Sequence, residues 1–224
     1  AAVKDRKSET TADKTAETNV EVKPPMLMKP NMAYGVIDQN MKNTFVITNA
    51  KVWTCGPNGL LENADIYVVD GKIKSIGKDQ MYPTELVRIN ANGKHVTPGI
   101  IDEHSHIGIF GGANEWGQSS SAEVRISDAI DPWNINIYRQ LAGGVTAAQL
   151  LHGSANPIGG QSALIELKWG QSADEMLIDN APGFIKFALG ENVKRSNSNR
   201  KGDRFPETRM GVEQTFADAF IRAR

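Results

Sequence analysis

Residues 96–107 constrain the fold of this chain more than any other segment. They read Val-Thr-Pro-Gly-Ile-Ile-Asp-Glu-His-Ser-His-Ile. A Pro-Gly turn leads into a short apolar run, which is typical of a buried strand, and two histidines follow where that run ends. Because side chains alternate faces along a strand, His104 and His106 are predicted to point to the same side, close enough for both imidazoles to bind one metal ion.

The position of this histidine pair favours the metal hypothesis. A His-x-His spacing alone is weak, because it also arises by chance. The chain holds only four histidines, however, and two of them lie at the carboxyl end of an apolar strand, directly after Asp102 and Glu103. In α/β barrels this end of the strands carries the catalytic groups. The sequence therefore predicts a metal site at the carboxyl end of this strand.

The chain before this strand divides into two regions. Residues 1–30 are polar, balanced in charge and then proline-rich, which predicts a disordered or extended leader. Residues 31–96 are predicted to form a small β-sandwich, because short β-branched runs alternate there with turn signals. Asp70-Gly71 predicts a tight hairpin turn, and Asn92-Gly93 predicts a second hairpin.

Residues 97–224 predict alternating strands and helices. After a long Gly- and Ser-rich loop, Asp131-Pro132 predicts the start of an amphipathic helix that ends at Gly143-Gly144. An apolar run at 145–152 completes a strand–helix–strand unit, which indicates a parallel sheet. An irregular loop at 153–161, strand candidates at 162–169 and 183–190, a short helix at 173–178 and a helix at 207–222 follow.

Residues 97–106, Thr-Pro-Gly-Ile-Ile-Asp-Glu-His-Ser-His, resemble the first-strand signature of the metal-dependent amidohydrolase superfamily. In that signature Pro-Gly, two apolar residues and Asp-x-His-x-His open a (β/α)8 barrel, and the imidazolonepropionase-like and prolidase-like members are most similar. The resemblance implies an α/β fold in which residues 97–224 form the amino-terminal half of a (β/α)8 TIM-type barrel, about four βα units. It also implies metal-dependent hydrolysis of a C–N bond in an amide, a peptide or a cyclic amide.

The same resemblance implies a further metal ligand. In many binuclear members a lysine on the fourth strand, carboxylated by CO2, bridges two metals, and Phe-Ile-Lys-Phe at 184–187 is similar to that strand. A lysine in an apolar strand is unusual, because burying an ammonium is costly unless it is neutralised, paired or modified. Lys186 is thus the candidate ligand. The alternatives are that Lys186 points outward toward a helix, or that Glu191 supplies the bridging carboxylate.

Zinc is the expected metal, as one or two ions, because imidazole nitrogen and carboxylate oxygen suit it, with manganese or iron as alternatives. His152 ends the second strand on the catalytic face and is predicted to bind substrate, with a histidine satisfied inside the loop network as the equal alternative. His95 is assigned no chemistry. A complete barrel takes roughly 250 residues, so the general-base aspartate of the family is expected beyond Arg224, and no catalytic residue is predicted within the chain.

The expected partners are a small-molecule or peptide substrate and the remainder of the same chain, or a second chain, that completes the barrel. Alone, the chain is expected to be inactive, and a homo-oligomer is also expected. The formal net charge of −1 and the absence of an eighteen-residue apolar run give no reason to expect nucleic acid or a membrane as partner. The Ala1-Ala2 start is compatible with a cleaved secretory signal, so a periplasmic or secreted location is one hypothesis.

The competing hypothesis is not enzymatic. It describes a binding or assembly module that retains an amidohydrolase-like first half, or a pseudoenzyme whose metal site has decayed.

Overall fold

Short strands make up most of the regular structure in the described residues. The computed structural model describes residues 43–195 and 203–224, so the predicted leader at 1–30 lies outside the described residues. The strands there are β1 (Phe45–Trp53), β2 (Leu60–Val69), β3 (Lys72–Gly77), β4 (Val87–Asn90), β5 (His95–Val96), β6 (Ile100–Ser105), β7 (Val145–Leu150), β8 (Ile158–Gln161), β9 (Ala163–Glu166) and β10 (Ile185–Phe187). The helices there are α1 (Ile135–Ala142), α2 (Ala173–Met176) and α3 (Arg209–Arg222), with 3-10 turns at Ile126–Ala129 and Glu191–Val193. Within these ranges no helix is both long and apolar enough to cross a membrane.

The first sheet has the strand order β3-β2-β1-β4, with β5 also paired to β1. Burial alternates along much of β1 and β2, where Val46 and Ile66 are buried and their neighbours are more exposed. Asp70 and Gly71 connect β2 to β3 with φ angles of 50° and 73°, as a type I′ turn requires. The first predicted hairpin is confirmed.

The prediction of a second hairpin at Asn92-Gly93 is wrong. β4 and β5 both pair with β1 in parallel, and not with each other. The reason is an irregularity in β1 at Asn49, which has a φ of 56° and whose carbonyl accepts a hydrogen bond from Gly93 N at 2.8 Å. The turn therefore follows the bend in β1 and returns the chain to the same edge of the sheet.

Residues 43–96 form a single five-stranded sheet in the described part of the chain. Its buried cluster consists of Ala50, Val52, Ala64, Ile66, Val68 and Ala91. A second layer of the predicted β-sandwich is not among the described residues. The two-layer arrangement therefore stays a prediction.

β6, α1 and β7 form the predicted strand–helix–strand unit. β6 and β7 are parallel, with Asp102 beside Ala148. α1 covers this pair through Ile137, which is fully buried in a cluster with Ala148 and Leu150. The parallel pairing predicted from the sequence is confirmed.

The start of α1 differs from the prediction. The helix begins after Asn134, whose side chain accepts a hydrogen bond from Asn136 N at 3.1 Å. Asp131 instead caps the preceding turn, because its carboxylate accepts a hydrogen bond from Trp133 N at 3.1 Å. Both residue types are good caps, and here Asn134 caps the helix while Asp131 caps the turn before it.

The strands after β7 correct the prediction of four consecutive parallel strands. β9 is antiparallel to β7, with Gln149 opposite Leu164, and β10 is antiparallel to β8, with Phe187 opposite Ile158. A parallel return needs a crossover, which is usually a helix. The segment between β7 and β9 contains strand β8 instead, in the last part of the predicted loop at 153–161. β9 therefore turns back along β7.

The core of this region lies between α1 and the sheet β6-β7-β9. It contains Ile137, Ala148, Leu150, Ile165 and Met176, among others. In contrast, Ile100 and Ile101 at the start of β6 are 57% and 73% exposed. The described residues provide no layer that covers these two side chains.

Gly99 precedes β6 and is required by a close contact with β7, in addition to the turn that the sequence indicates. A methyl group on its Cα would lie 2.1 Å from Oγ1 and 2.7 Å from Cβ of Thr146. We expect Gly99→Ala to push β6 and β7 apart and to lower the free energy of unfolding by about 1–3 kcal/mol, as overpacking does. Urea denaturation measures this change.

Gly183→Ala is the matched control, because nothing lies within 4 Å of a methyl group added at Gly183. Equal stability of the two variants would contradict the role assigned to Gly99.

Candidate metal centre

His104 and His106 lie at the carboxyl end of β6, on either side of the buried Ser105. Their rings are neighbours, with centroids 5.3 Å apart and planes at 84°. Asp102 supports this end of the strand, because its carboxylate accepts a hydrogen bond from His104 N at 3.2 Å. The two imidazoles thus lie side by side, as the alternation of strand side chains predicts.

The β6–β7 pairing orients His106. Leu151 N donates to the carbonyl of Ser105 at 2.9 Å, which continues the ladder past the ends of both strands. The carbonyl of Leu151 in turn lies 2.7 Å from His106 Nδ1. A carbonyl only accepts, so Nδ1 carries the proton, and in the neutral ring Nε2 is the nitrogen with the lone pair. This arrangement is the one that prepares a histidine to bind a metal through Nε2.

The side chain of Lys186 on β10 extends to His104. Its Nζ lies 3.5 Å from His104 Nε2, although the two residues are far apart in sequence. On the opposite side of β10, Phe187 packs against Phe216 and Phe220 of α3, with ring centroids 5.7 Å and 6.3 Å away. The alternation along β10 therefore directs Phe187 to the helix and Lys186 to His104, and this contact favours the metal-ligand prediction over the alternative in which Lys186 faces a helix.

Glu191, the alternative bridging ligand, lies in the 3-10 turn that follows β10. Its carboxylate is 2.5 Å from Lys194 Nζ and 2.5 Å from Arg209 Nε. Hydrogen bonds from Lys194 and then Arg209 lower the pKa of Glu191 to about 2. The carboxylate is therefore ionised and already engaged with two cations.

The donor set fits a metal such as zinc, but it is incomplete. Two neighbouring imidazoles offer nitrogen donors of the kind that zinc prefers. Across residues 43–195 and 203–224, no group of three or more His, Cys, Asp or Glu side chains is arranged to hold a metal ion. The structure thus brings together the three predicted residues, His104, His106 and Lys186, without a further acidic or histidine ligand from the described residues.

His152 follows β7 and is almost fully buried. Its Nδ1 lies 2.8 Å from the carbonyl of Gly153, and its Nε2 accepts a hydrogen bond from Glu115 N at 2.9 Å. Burial lowers the pKa of His152 below the ordinary value, although the Gly153 carbonyl and Glu115 oppose this shift. The ring is neutral with the proton on Nδ1, and both nitrogens have backbone partners. This geometry supports the loop-network alternative for His152, and substrate binding by it stays a prediction.

Two further side chains hold the loops around His152, and the sequence did not single them out. Asn156 is fully buried and donates from Nδ2 to the carbonyls of Glu115 and Gln118, both at 2.6 Å. Arg204 donates to the carbonyl of Ala155 at 2.8 Å and to that of Gln118 at 3.3 Å. The signal available in the sequence was the predicted loop itself, because buried loop backbone needs polar side chains to satisfy its carbonyls.

A cavity of about 270 Å³ opens beside Lys186. Its lining runs from Lys186 to Val193 and includes Ser154. The cavity thus joins the end of β10 to the loop that follows β7. It offers room for a small molecule next to the candidate metal ligands.

Comparisons with known proteins agree with this geometry. No family model matches the chain. Among solved structures, an amidohydrolase from Thermotoga maritima is similar, with 32% sequence identity and a TM-score of 0.68 over 80% of this chain and 47% of that chain. Among curated proteins, the amidohydrolase tasK of Hapsidospora irregularis is 34% identical over 181 residues, which is 73% of this chain and 18% of that protein. The chain belongs to the amidohydrolase superfamily.

Other members of the amidohydrolase superfamily match a shorter part of the chain. The imidazolonepropionase of Brucella anthropi is 34% identical over 73 residues, which is 30% of this chain and 18% of that protein. The amidohydrolase resemblance of residues 97–106 is therefore confirmed, with imidazolonepropionases among the relatives. The mixed α/β fold matches part of the amidohydrolase fold, and the chain spans about half of the solved structure and 18% of each of these two curated relatives.

The buried neutral His152 predicts a pH dependence of stability. Its pKa is lowered in the folded protein, so the unfolded chain binds the extra proton first, and the free energy of unfolding falls as the pH drops below about 6.5. The slope for this one group is at most about 1.4 kcal/mol per pH unit. Urea denaturation across this pH range measures it.

His152→Asn keeps a donor near the position of Nδ1 but does not titrate, so its stability should depend less on pH. Parallel pH profiles for the wild-type protein and His152→Asn would contradict a neutral, buried His152.

Proposed function

We propose that this chain contributes the first metal ligands of a metal-dependent amidohydrolase that hydrolyses a C–N bond in an amide, a peptide or a cyclic amide. The observation that carries the proposal is the meeting of His104, His106 and Lys186 at one point, from two strands that share no backbone pairing. Membership of the amidohydrolase superfamily supports the reaction class.

His104 and His106 would bind the metal through Nε2. In His106, Nδ1 is hydrogen-bonded to the Leu151 carbonyl, so Nε2 is the nitrogen left to bind a metal. In His104, Nε2 is the nitrogen that faces Lys186 Nζ. Zinc is the proposed ion, as one or two per site, with manganese or iron as alternatives. When bound, such an ion supplies Lewis acidity toward a carbonyl and lowers the pKa of water toward neutrality.

Lys186 is proposed to act as a carboxylated ligand, formed with CO2. Carboxylation would convert its amine into a carbamate, with release of a proton, and would supply oxygen donors beside His104. Glu191 remains the alternative bridging ligand, but its ion pairs with Lys194 and Arg209 favour Lys186. The cavity beside Lys186 is the proposed place for a small substrate or part of a peptide.

The rest of the active site is proposed to come from the remainder of the same protein or from a second chain. The exposed Ile100 and Ile101 support this, because a further layer against β6 would remove their apolar surface from water. A general-base aspartate is proposed to lie in that remainder, beyond Arg224.

A second candidate function is that of a non-catalytic assembly or binding module, including a pseudoenzyme. The observation that favours it is the incomplete donor set in the described residues. The two candidates differ in whether the full-length protein holds metal and hydrolyses a C–N bond.

Full-length protein is expected to purify with stoichiometric zinc, measured by inductively coupled plasma mass spectrometry. The double variant His104→Ala with His106→Ala is expected to lose this zinc and its hydrolase activity on a panel of amides, dipeptides and cyclic amides, because both imidazole donors are removed.

His95→Ala is the matched histidine control. His95 lies on β5, where its Nδ1 accepts a hydrogen bond from Trp53 Nε1 at 2.7 Å, so the variant should keep its zinc. Zinc that persists in the double variant would rule out this site, and a metal-free, inactive wild-type protein would favour the non-catalytic candidate.

Zinc binding also distinguishes the roles proposed for Lys186 and Glu191. Lys186→Met is expected to weaken zinc binding at least about tenfold, since it removes a metal ligand or its close neighbour. Glu191→Gln is expected to change zinc affinity by less than about twofold, because that carboxylate serves exposed ion pairs, which contribute little. The reverse order of effects would assign the bridging role to Glu191.

A further inference from the structure

The backbone of β8 lies against the ring of His152 without space for side chains. A methyl group on Gly159 would lie 3.0 Å from His152 Nδ1, 3.2 Å from its Cγ and 3.3 Å from Lys186 Cβ. On Gly160 it would lie 2.6 Å from Val124 Cγ2 and 3.2 Å from His152 Cδ2. The two glycines thus let β8 pack between the His152 ring and the neighbouring side chains.

This packing connects two separate sheets. β8 pairs only with β10 among the described strands, and the sheet β6-β7-β9 shares no strand ladder with them. Beyond the ends of β10, Ser162 N donates to the carbonyl of Phe184 and Ala188 N to that of Pro157, both at 2.9 Å, so β8 and β10 form one hydrogen-bonded unit. Only Ser162 separates β8 from β9 of the other sheet, but no ladder pairs β10 with β6, so side-chain packing also contributes to the distance between Lys186 and His104.

His152 is suited to set this distance. It follows β7, which is paired to the strand that carries His104. Its ring is fixed at both nitrogens, by the carbonyl of Gly153 and by Glu115 N. A larger residue at Gly159 would require its neighbours to shift, and these two hydrogen bonds oppose a shift of the ring.

We propose that His152 and Gly159 are positioning residues that together hold Lys186 against His104. The His152 ring acts as a spacer between the two sheets, and the bare backbone of Gly159 lets Lys186 approach. This inference rests on the proposed metal site, since it explains how Lys186 is brought to it.

The test compares glycine variants of the full-length protein. Gly159→Ala is expected to lengthen the distance from Lys186 Nζ to His104 Nε2 beyond hydrogen-bonding range in a crystal structure, and to weaken Zn²⁺ binding about tenfold or more in a competition titration. Gly183→Ala lies beside the same strand in open space and should leave both quantities unchanged. An unchanged distance and affinity in Gly159→Ala would overturn the inference.

A rescue variant separates positioning from general damage. His152→Ala removes the ring atoms that the new methyl group would meet, so Gly159→Ala with His152→Ala should bind Zn²⁺ more tightly than Gly159→Ala alone. A double variant no better than the single one would overturn the spacer role. If Gly159→Ala does not fold, His152→Asn provides the test, because it replaces the ring with a smaller side chain. This variant should change the distance between Lys186 Nζ and His104 Nε2, and an unchanged distance would also overturn the spacer role.

The two proposals fail in different ways. A wild-type protein that binds no Zn²⁺ contradicts the proposed function, whereas the comparison of Lys186–His104 distances still decides the positioning role.

Discussion

β6 and β7 run side by side in parallel, and this pairing determines where His104, His106 and His152 lie. Gly99 allows the two strands to approach at their starts, where Thr146 fills the space that a larger residue would need. At their ends the ladder continues from Ser105 to Leu151, so the Leu151 carbonyl meets His106 Nδ1. The next residue, His152, is then buried where its ring meets the backbone of Gly153 and Glu115. One backbone pairing thus orients a proposed metal ligand, His106, and positions the proposed spacer, His152.

β10 shows how a strand can carry a cation toward a site and keep an apolar contact on its other side. Phe187 contacts the aromatic rings of α3, which anchors the strand. Lys186, one residue earlier, must then face the other way, toward His104. The aromatic contact offsets part of the cost of bringing an ammonium into a partly buried position. Helix α3 therefore contributes to the site although it lies on the far side of the strand.

Local patterns in the sequence predicted the features that depend on neighbouring residues. The Asp70-Gly71 turn, the adjacent rings of His104 and His106, and the β6–α1–β7 unit follow from turn chemistry and from the period of two or 3.6 residues. Pairing partners distant in sequence did not follow, because an apolar run of strand length has the same pattern in a parallel and an antiparallel sheet. For this reason the direction of β9 and the common partner of β4 and β5 were missed.

The candidate site likewise contains features that the sequence predicts and features that it does not. The resemblance of residues 184–187 to the fourth strand of binuclear amidohydrolases made Lys186 a candidate, and the cost of placing a lysine in an apolar strand agreed with it. The partners of His152, in contrast, are the backbone of Gly153 and Glu115, and any residue type supplies these groups. The same holds for the carbonyls that Asn156 and Arg204 satisfy. A sequence does not record which backbone groups a folded loop leaves to be satisfied.

The contact between Lys186 and His104 also limits how a metal can enter the site. The lysine Nζ lies 3.5 Å from His104 Nε2, the nitrogen proposed to bind the metal. Two unit positive charges about 4 Å apart repel by about 4 kcal/mol at an effective dielectric constant of 20, and a divalent ion doubles this. An ammonium at Lys186 therefore opposes the ion that His104 would hold. Carboxylation reverses the sign, because it replaces the positive charge with a negative one at the same place. Loss of the lysine charge and metal binding should thus be coupled at this site.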